Sequence, residues 1–151
     1  MQVRSFQLSD LPELSQIDKN CFPPGIAYTR KELAEYIQNR FSMTWVAEAN
    51  GAIVGFVVVN RQPSSVAHII TIDVIERWRG RGVGAALMEA AEKWVRQAKL
   101  DLIRLETAET NVQAQKFYEK RGYKRVEKIE RYYSRNLAAW VMEKQLNSTQ
   151  K

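Results

Sequence analysis

Three glycines alternate with basic and small residues between an apolar run and an amphipathic stretch, in Ile72-Asp73-Val74-Ile75-Glu76-Arg77-Trp78-Arg79-Gly80-Arg81-Gly82-Val83-Gly84-Ala85. No other segment limits the fold so tightly. Val66–Val74 has the composition of a strand, and from Gly82 to Ala98 the apolar positions Val83, Leu87, Ala90, Ala91, Trp94, Val95 and Ala98 recur at helical spacing. Leu102–Thr107 then returns as a strand, which completes one β-α-β crossover. Glycines let backbone N–H groups approach an anion closely, and the following helix adds the positive end of its dipole, so the loop suits a pyrophosphate. It is not a Walker loop, because no Gly-Lys-Ser/Thr follows. Gly80-X-Gly82-X-X-Ala85, with Glu106 further on, fits the spacing of a dinucleotide fingerprint. Ile75 to Arg79 nevertheless separate the glycines from their strand, a second βαβ half is missing, and Arg79 and Arg81 bring cations where that motif relies on backbone.

The flanking segments fill out one domain. A short strand near Gln2–Phe6 leads to a helix marked by Asp10 and Glu13, with Leu11, Leu14, Ile17 and Cys21 on one face. Phe22-Pro23-Pro24-Gly25-Ile26-Ala27-Tyr28 interrupts the chain, and Thr29-Arg30-Lys31-Glu32 has the capping-box spacing that opens a second helix to about Asn39. Thr44–Ala49, Asn50-Gly51 and Ala52–Arg61 form the strongest hairpin signal, and Val66–Val74 extends it to a meander. Asn111–Lys120 reads as a helix stopped at Arg121-Gly122, before strands at Tyr123–Ile129 and Ala139–Gln145. The expectation is a mixed α/β (α+β) domain over residues 1–146, with a mixed, mostly antiparallel sheet carrying helices on both faces, and a flexible tail over 147–151.

Composition narrows the partners. Of 151 residues, 23 are Lys or Arg and 17 Asp or Glu, a formal charge of +6, which favours an anionic partner such as a nucleotide cofactor, nucleic acid or an acidic surface. Arg77, Arg79 and Arg81 place part of that charge on the glycine loop, so nucleic acid is not needed to explain it. One Cys and one His exclude a disulfide scaffold and the usual zinc sets, so no metal is expected. The longest apolar stretch, Ile53 to Val59, is too short to span a bilayer, and the N-terminus lacks a signal-like apolar segment. A cytoplasmic location follows as an expectation.

Arg79-Gly80-Arg81-Gly82-Val83-Gly84 resembles the Arg/Gln-X-X-Gly-X-Gly/Ala signature of the GNAT acetyltransferase superfamily. The resemblance extends to Ile69–Val74 before it, to Glu106-Thr107-Ala108-Glu109-Thr110-Asn111, and to Phe117-Tyr118-Glu119-Lys120-Arg121-Gly122-Tyr123. Within that superfamily it resembles ribosomal-protein-alanine and other protein N-terminal acetyltransferases. The resemblance implies acetyl-CoA as cosubstrate, with its pyrophosphate on the amides of Arg79, Gly80, Arg81, Gly82, Val83 and Gly84. Its pantetheine arm would lie beside Ile72, Asp73 and Val74, in a V-shaped opening between that strand and Leu102–Thr107. Asn111 would sit near the pantetheine and Tyr118 near the sulfur as general acid, while Glu106 would be the base, acting directly or through water. Oxyanion stabilisation would come from backbone N–H near Val74.

Each assignment has a plainer alternative. Glu106 also reads as a solvated strand-end acid, Asn111 as a helix N-cap and Tyr118 as a core aromatic beside Phe117. Asn111 and Tyr118 are seven residues apart, about 20° from a common azimuth and roughly 10 Å along a helix axis, so one face could serve one elongated ligand. His68 reads as a packing or strand-end residue, since no Cys, Ser or acidic partner lies at a recognisable spacing. Cys21 reads as core. Arg131-Tyr132-Tyr133-Ser134-Arg135 reads as a solvated loop between the last strands.

For the acceptor, Phe22 and Tyr28 in the proline-rich loop, with Tyr132 and Tyr133, resemble the peptide-flanking elements of protein N-terminal acetyltransferases. The acidic turn often found there is replaced by Ser134-Arg135-Asn136-Leu137-Ala138, which disfavours cationic acceptors such as polyamines. The expected reaction is direct acetyl transfer to a protein or peptide N-terminal amine. A free small amine is the alternative acceptor, and a basic RNA- or ribosome-binding module without activity is the alternative class. The protein is expected to act as a monomer or a weak homodimer.

Overall fold

The computed structural model describes residues 1–147, and among these seven strands form one sheet. They are β1 (Gln2–Ser5), β2 (Ser42–Ala49), β3 (Ala52–Gln62), β4 (Val66–Val74), β5 (Leu102–Ala108), β6 (Lys124–Ser134) and β7 (Leu137–Gln145), in the order β1-β2-β3-β4-β5-β7-β6. β4 and β5 pair in parallel and every other neighbouring pair is antiparallel. The α-helices are α1 (Leu11–Cys21), α2 (Arg30–Gln38), α3 (Val83–Gln97) and α4 (Val112–Lys120). This is the mixed, mostly antiparallel sheet with helices on both faces that the sequence pattern implies. Among the described residues, no helix is long and apolar enough to cross a membrane.

The apolar run Ile53–Val59 is continuous because β3 is covered on both sides. Val57 and Val59 meet Leu87, Met88, Ala91 and Val95 of α3, while Phe56 and Val58 meet Leu14 and Ile17 of α1 and Leu33 and Ile37 of α2. Leu14, Leu33 and Leu87 are each 0% exposed, and burying such a side chain stabilises by about 1.5–3 kcal/mol. The β2–β3 turn forms at Asn50-Gly51 with φ of 55° and 77°, the two positive values that a two-residue type I′ hairpin requires. Thr29 caps α2 through the expected reciprocal bonds with Glu32.

Two local expectations are corrected. Asp10 stands at the N-cap position of α1, where the sequence puts the helix entry, but its side chain makes no capping bond to that helix. It ends a short 3-10 turn, Leu8–Asp10, and its carboxylate accepts the Arg4 guanidinium at 2.9 and 3.0 Å and the Gln7 N–H at 2.8 Å, tying β1 to α1. Arg131–Ser134 is not a loop either, since β6 continues to Ser134. Ile129 pairs with Ala139 but Ser134 with Leu137, so Glu130 to Tyr133 bulge opposite Ala138, with Arg131 at φ 58°. Of the expected tail, Asn147 donates to the Leu100 carbonyl at 2.6 Å, and residues 148–151 lie outside the described residues.

Candidate active site

β4 and β5 pair only from Val66–His68 to Leu102–Arg104 and then part, while β7 keeps the far edge of β5 occupied from Leu102 to Ala108. The result is a one-sided cleft along the last residues of β4. Ile75 N–H donates to the Val54 carbonyl on β3 at 2.9 Å. Strand alternation therefore turns the N–H groups of Ile72 and Val74 toward the cleft, where no strand pairs them.

The cleft has two lobes of about 410 and 470 Å³. They meet at Cys21, Phe22, Ile72, Asn111, Ala114 and Tyr118, which line both. The second lobe holds Asp73, Val74, Arg79, Gly80, Gly82 and Gly84. Gly80 and Gly82 have φ of 75° and 87°, and an added Cβ at either would meet nothing within 4 Å, so backbone conformation is what selects glycine there. Gly82 is the N-cap of α3 and offers no side-chain acceptor, so the first-turn amides of α3 are left for an anion. At Gly84 a Cβ would sit 3.3 Å from Phe117, so the missing side chain lets α3 begin against α4. The uncapped amides and the lobe beside them fit a pyrophosphate with an extended arm.

Two members of the loop do not aim side chains into this lobe. Val83 is 1% exposed in the core, and the Arg81 guanidinium lies 4.9 Å over the Trp78 ring. Arg79 folds back, its Nε donating to the Val74 carbonyl at 2.9 Å.

Four residues expected around the acceptor, Phe22, Tyr28, Tyr132 and Tyr133, line the first lobe together with Glu106. The β6 bulge is what carries Tyr132 and Tyr133 inward. Burial raises the pKa of Tyr28 and Tyr133, and pushes Tyr132 up to about 12, with the nearby Glu106 carboxylate adding to it. All three phenols thus remain protonated donors at neutral pH.

Asn111 caps α4, its side-chain oxygen accepting the Ala114 N–H at 3.2 Å. Tyr118 is 6% exposed and packs edge-on against Phe117 and Tyr123, at 5.2 and 5.6 Å between ring centroids. Burial raises its pKa. Cys21 is half-buried at the junction of the lobes rather than enclosed in the core, and its Sγ is 3.5 Å from the Val74 carbonyl. Burial pushes this thiol up to about 11.

Two side chains that shape the cleft are not marked by the sequence pattern. His68 has an acidic partner after all, since its Nε2 lies 2.6 Å from Glu106 Oε1. The signal was the parallel register, in which His68 faces Arg104 and Glu106 is two residues further on the same face. Gln115, 2% exposed, donates to the carbonyls of Ala108 at 2.9 Å and Glu109 at 3.2 Å, which sets α4 on the end of β5. A buried glutamine leaves no periodic trace.

Known proteins share this architecture. Residues 11–123 match the model of the Acetyltransferase (GNAT) family. An N-alpha-acetyltransferase of Sulfurisphaera tokodaii is 26% identical over 153 residues, covering 93% of this chain and 90% of that protein. Among solved structures, the ribosomal-protein-S18-alanine N-acetyltransferase from Escherichia coli superposes with a TM-score of 0.89 at 20% identity, covering 99% of this chain and 96% of that one. An aminoglycoside 6'-N-acetyltransferase complexed with coenzyme A does so at 0.86 and 19%, covering both chains fully at 100%.

Proposed function

The chain belongs to the GNAT family of acetyltransferases, and on that footing we propose that it transfers acetyl directly from acetyl-CoA to the α-amine of a protein N-terminus. The observation that carries this reading is the two-lobed cleft. A carboxylate (Glu106) stands in one lobe, an uncapped helix N-terminus in the other, and a protonated phenol (Tyr118) at their junction.

Each element has a task. The α3 amides and the backbone of Arg79–Gly84 bind the pyrophosphate of acetyl-CoA, while Ile72, Val74 and Asn111 line the path of its arm. Glu106 accepts the proton of the incoming ammonium, and the 2.6 Å contact lets His68 hold the carboxylate and share the proton. The free amine attacks the thioester carbonyl, whose oxygen takes negative charge within reach of the Val74 N–H. As the C–S bond breaks, the Tyr118 hydroxyl donates its proton to the departing thiolate, and the second proton that the attacking nitrogen sheds on becoming an amide restores the phenol. Burial disfavours the Cys21 thiolate, so this reading gives Cys21 no covalent part.

For the acceptor, support comes from Phe22, Tyr28, Tyr132 and Tyr133 around the first lobe, which can stack on and hydrogen-bond an extended peptide, and from the N-alpha-acetyltransferase name of a relative. The test is release of free CoA thiol over short peptides of varied N-terminal residue, run beside lysine, polyamines and an aminoglycoside. Turnover with peptides is expected. Turnover confined to the small amines overturns the acceptor assignment and leaves the acetyl-CoA chemistry standing.

A further inference from the structure

Two carboxyl groups in the cleft have no task in that chemistry. Asp18, 0% exposed on α1, lines the first lobe, and Asp73, 1% exposed near the end of β4, lines the second. Thr71 Oγ1 stands between them, 2.6 Å from Asp73 Oδ1 and 3.5 Å from Asp18 Oδ1. The other oxygen of Asp18 accepts the Tyr28 N–H at 2.8 Å. Asp73 Oδ2 is buried without a partner among the described residues. The groups facing Asp73 are Cys21 and Asp18 from α1, Arg79 from the glycine loop, Tyr118 from α4, and apolar Phe56 across β3. Arg79 supplies a positive charge, but its Nε is committed to the Val74 carbonyl. Two buried carboxylates within reach of one hydroxyl cannot both ionise cheaply.

We propose that Asp18, Thr71 and Asp73 form a clasp, with one proton held between two carboxyl groups, that fastens the Phe22–Tyr28 loop to β4 and positions it for the acceptor. Asp18 and Asp73 are then positioning residues, and the proposal rests on reading the first lobe as the acceptor site. With Asp73 protonated, a single negative charge remains on Asp18 and is satisfied by Thr71 and the Tyr28 amide. Once Asp73 ionises, two facing carboxylates repel, and α1 carries Tyr28 away from β4.

The direction with pH follows from burial and from the Asp18 charge, which hold the Asp73 carboxyl protonated well above the usual aspartate range. A carboxyl that binds its proton more tightly in the folded chain contributes stability at low pH, and that contribution is lost as pH rises through the raised pKa. The clasp therefore loosens toward alkaline pH.

Two measurements across the pH range test this. One is hydrogen exchange of the Tyr28 amide, expressed as protection so that intrinsic rates cancel. The other is the KM and kcat for the fastest peptide of the panel at saturating acetyl-CoA. In the wild type, Tyr28 protection falls and peptide KM rises on the alkaline side, with kcat much less affected. Asp73→Asn, which stays neutral and keeps a hydrogen-bond donor, flattens both trends. Asp73→Ala, which removes the group that Thr71 Oγ1 bonds at 2.6 Å, raises KM about two- to tenfold at every pH, the worth of one lost neutral hydrogen bond. The same alkaline loss of Tyr28 protection in Asp73→Asn as in the wild type overturns the clasp, whatever the turnover. Protection that responds as expected while KM does not move overturns the acceptor role, and with it the reading of the first lobe.

Discussion

Replacing Tyr118 with phenylalanine removes one oxygen atom and little else, which makes it the sharpest probe of the cleft. The ring is 6% exposed and held edge-on between Phe117 and Tyr123, and phenylalanine preserves both contacts. The hydroxyl has no hydrogen-bond partner among the described residues, so no protein donor or acceptor is orphaned by its loss. Stability should change by no more than about 0.5 kcal/mol, the range of substitutions that leave packing and paired polar groups intact. The phenol nevertheless stands at the junction of the lobes, with burial keeping its proton in place. If that proton goes to the departing thiolate, its loss lowers kcat by about 10²- to 10⁴-fold, or roughly 3–5 kcal/mol of transition-state stabilisation. The assay pairs thermal unfolding and acetyl-CoA affinity, both expected near wild type, with single-turnover thiol release, expected to collapse. A kcat within threefold of wild type, with cofactor affinity intact, refutes the general-acid role.

Three other substitutions or reactions have defined outcomes. Glu106→Gln should lower kcat/KM for the peptide about 10²-fold or more and flatten the pH dependence of turnover, because the amide cannot take a proton; an unchanged pH profile removes Glu106 as the base. Gly55→Ala places a Cβ 2.7 Å from the Asp73 carbonyl oxygen and 3.2 Å from Leu87 and Val83, so urea unfolding should show a loss of about 1–3 kcal/mol, and an unshifted midpoint contradicts this. Cys21, raised to about 11, should react with iodoacetamide slowly at neutral pH and faster as pH climbs toward that value, with acetyl-CoA protecting it. Alkylation indifferent to acetyl-CoA would place the bound cosubstrate away from the junction.

What could be read from the chain alone follows the range of the interactions involved. The β4–α3–β5 crossover, the Asn50-Gly51 hairpin and the Thr29 cap are written in residues close together, and each forms where its local pattern indicates. The second half of β6 is hidden from the sequence because its pairing with β7 breaks between Ile129 and Ser134, where a basic, aromatic run reads as a loop. Tyr132 and Tyr133 reach the cleft through a bulge that depends on pairing with β7, which turn composition does not announce. His68 and Glu106 are 38 residues apart and become partners only through the short parallel register of β4 and β5. Asp10 shows the converse failure, a capping pattern overridden by a guanidinium from a strand six residues earlier. The candidate site was thus legible in its glycine loop and its α4 face, and illegible wherever a buried polar side chain takes its meaning from a distant partner.

Gln115 gives α4 a fixed origin. By hooking the carbonyls of Ala108 and Glu109, it makes Asn111 and Tyr118 graduations on one ruler, roughly 10 Å apart and unable to shift independently. Such a ruler tolerates no partial adjustment. A slip of α4 by one turn would displace both marks by about 5.4 Å, far beyond what rotamer changes recover. Donors with acyl groups longer than acetyl must therefore be accommodated from the opposite bank, by the α1 loop and the β6 bulge, and evolution of acyl-length preference in this scaffold should be sought in those two segments.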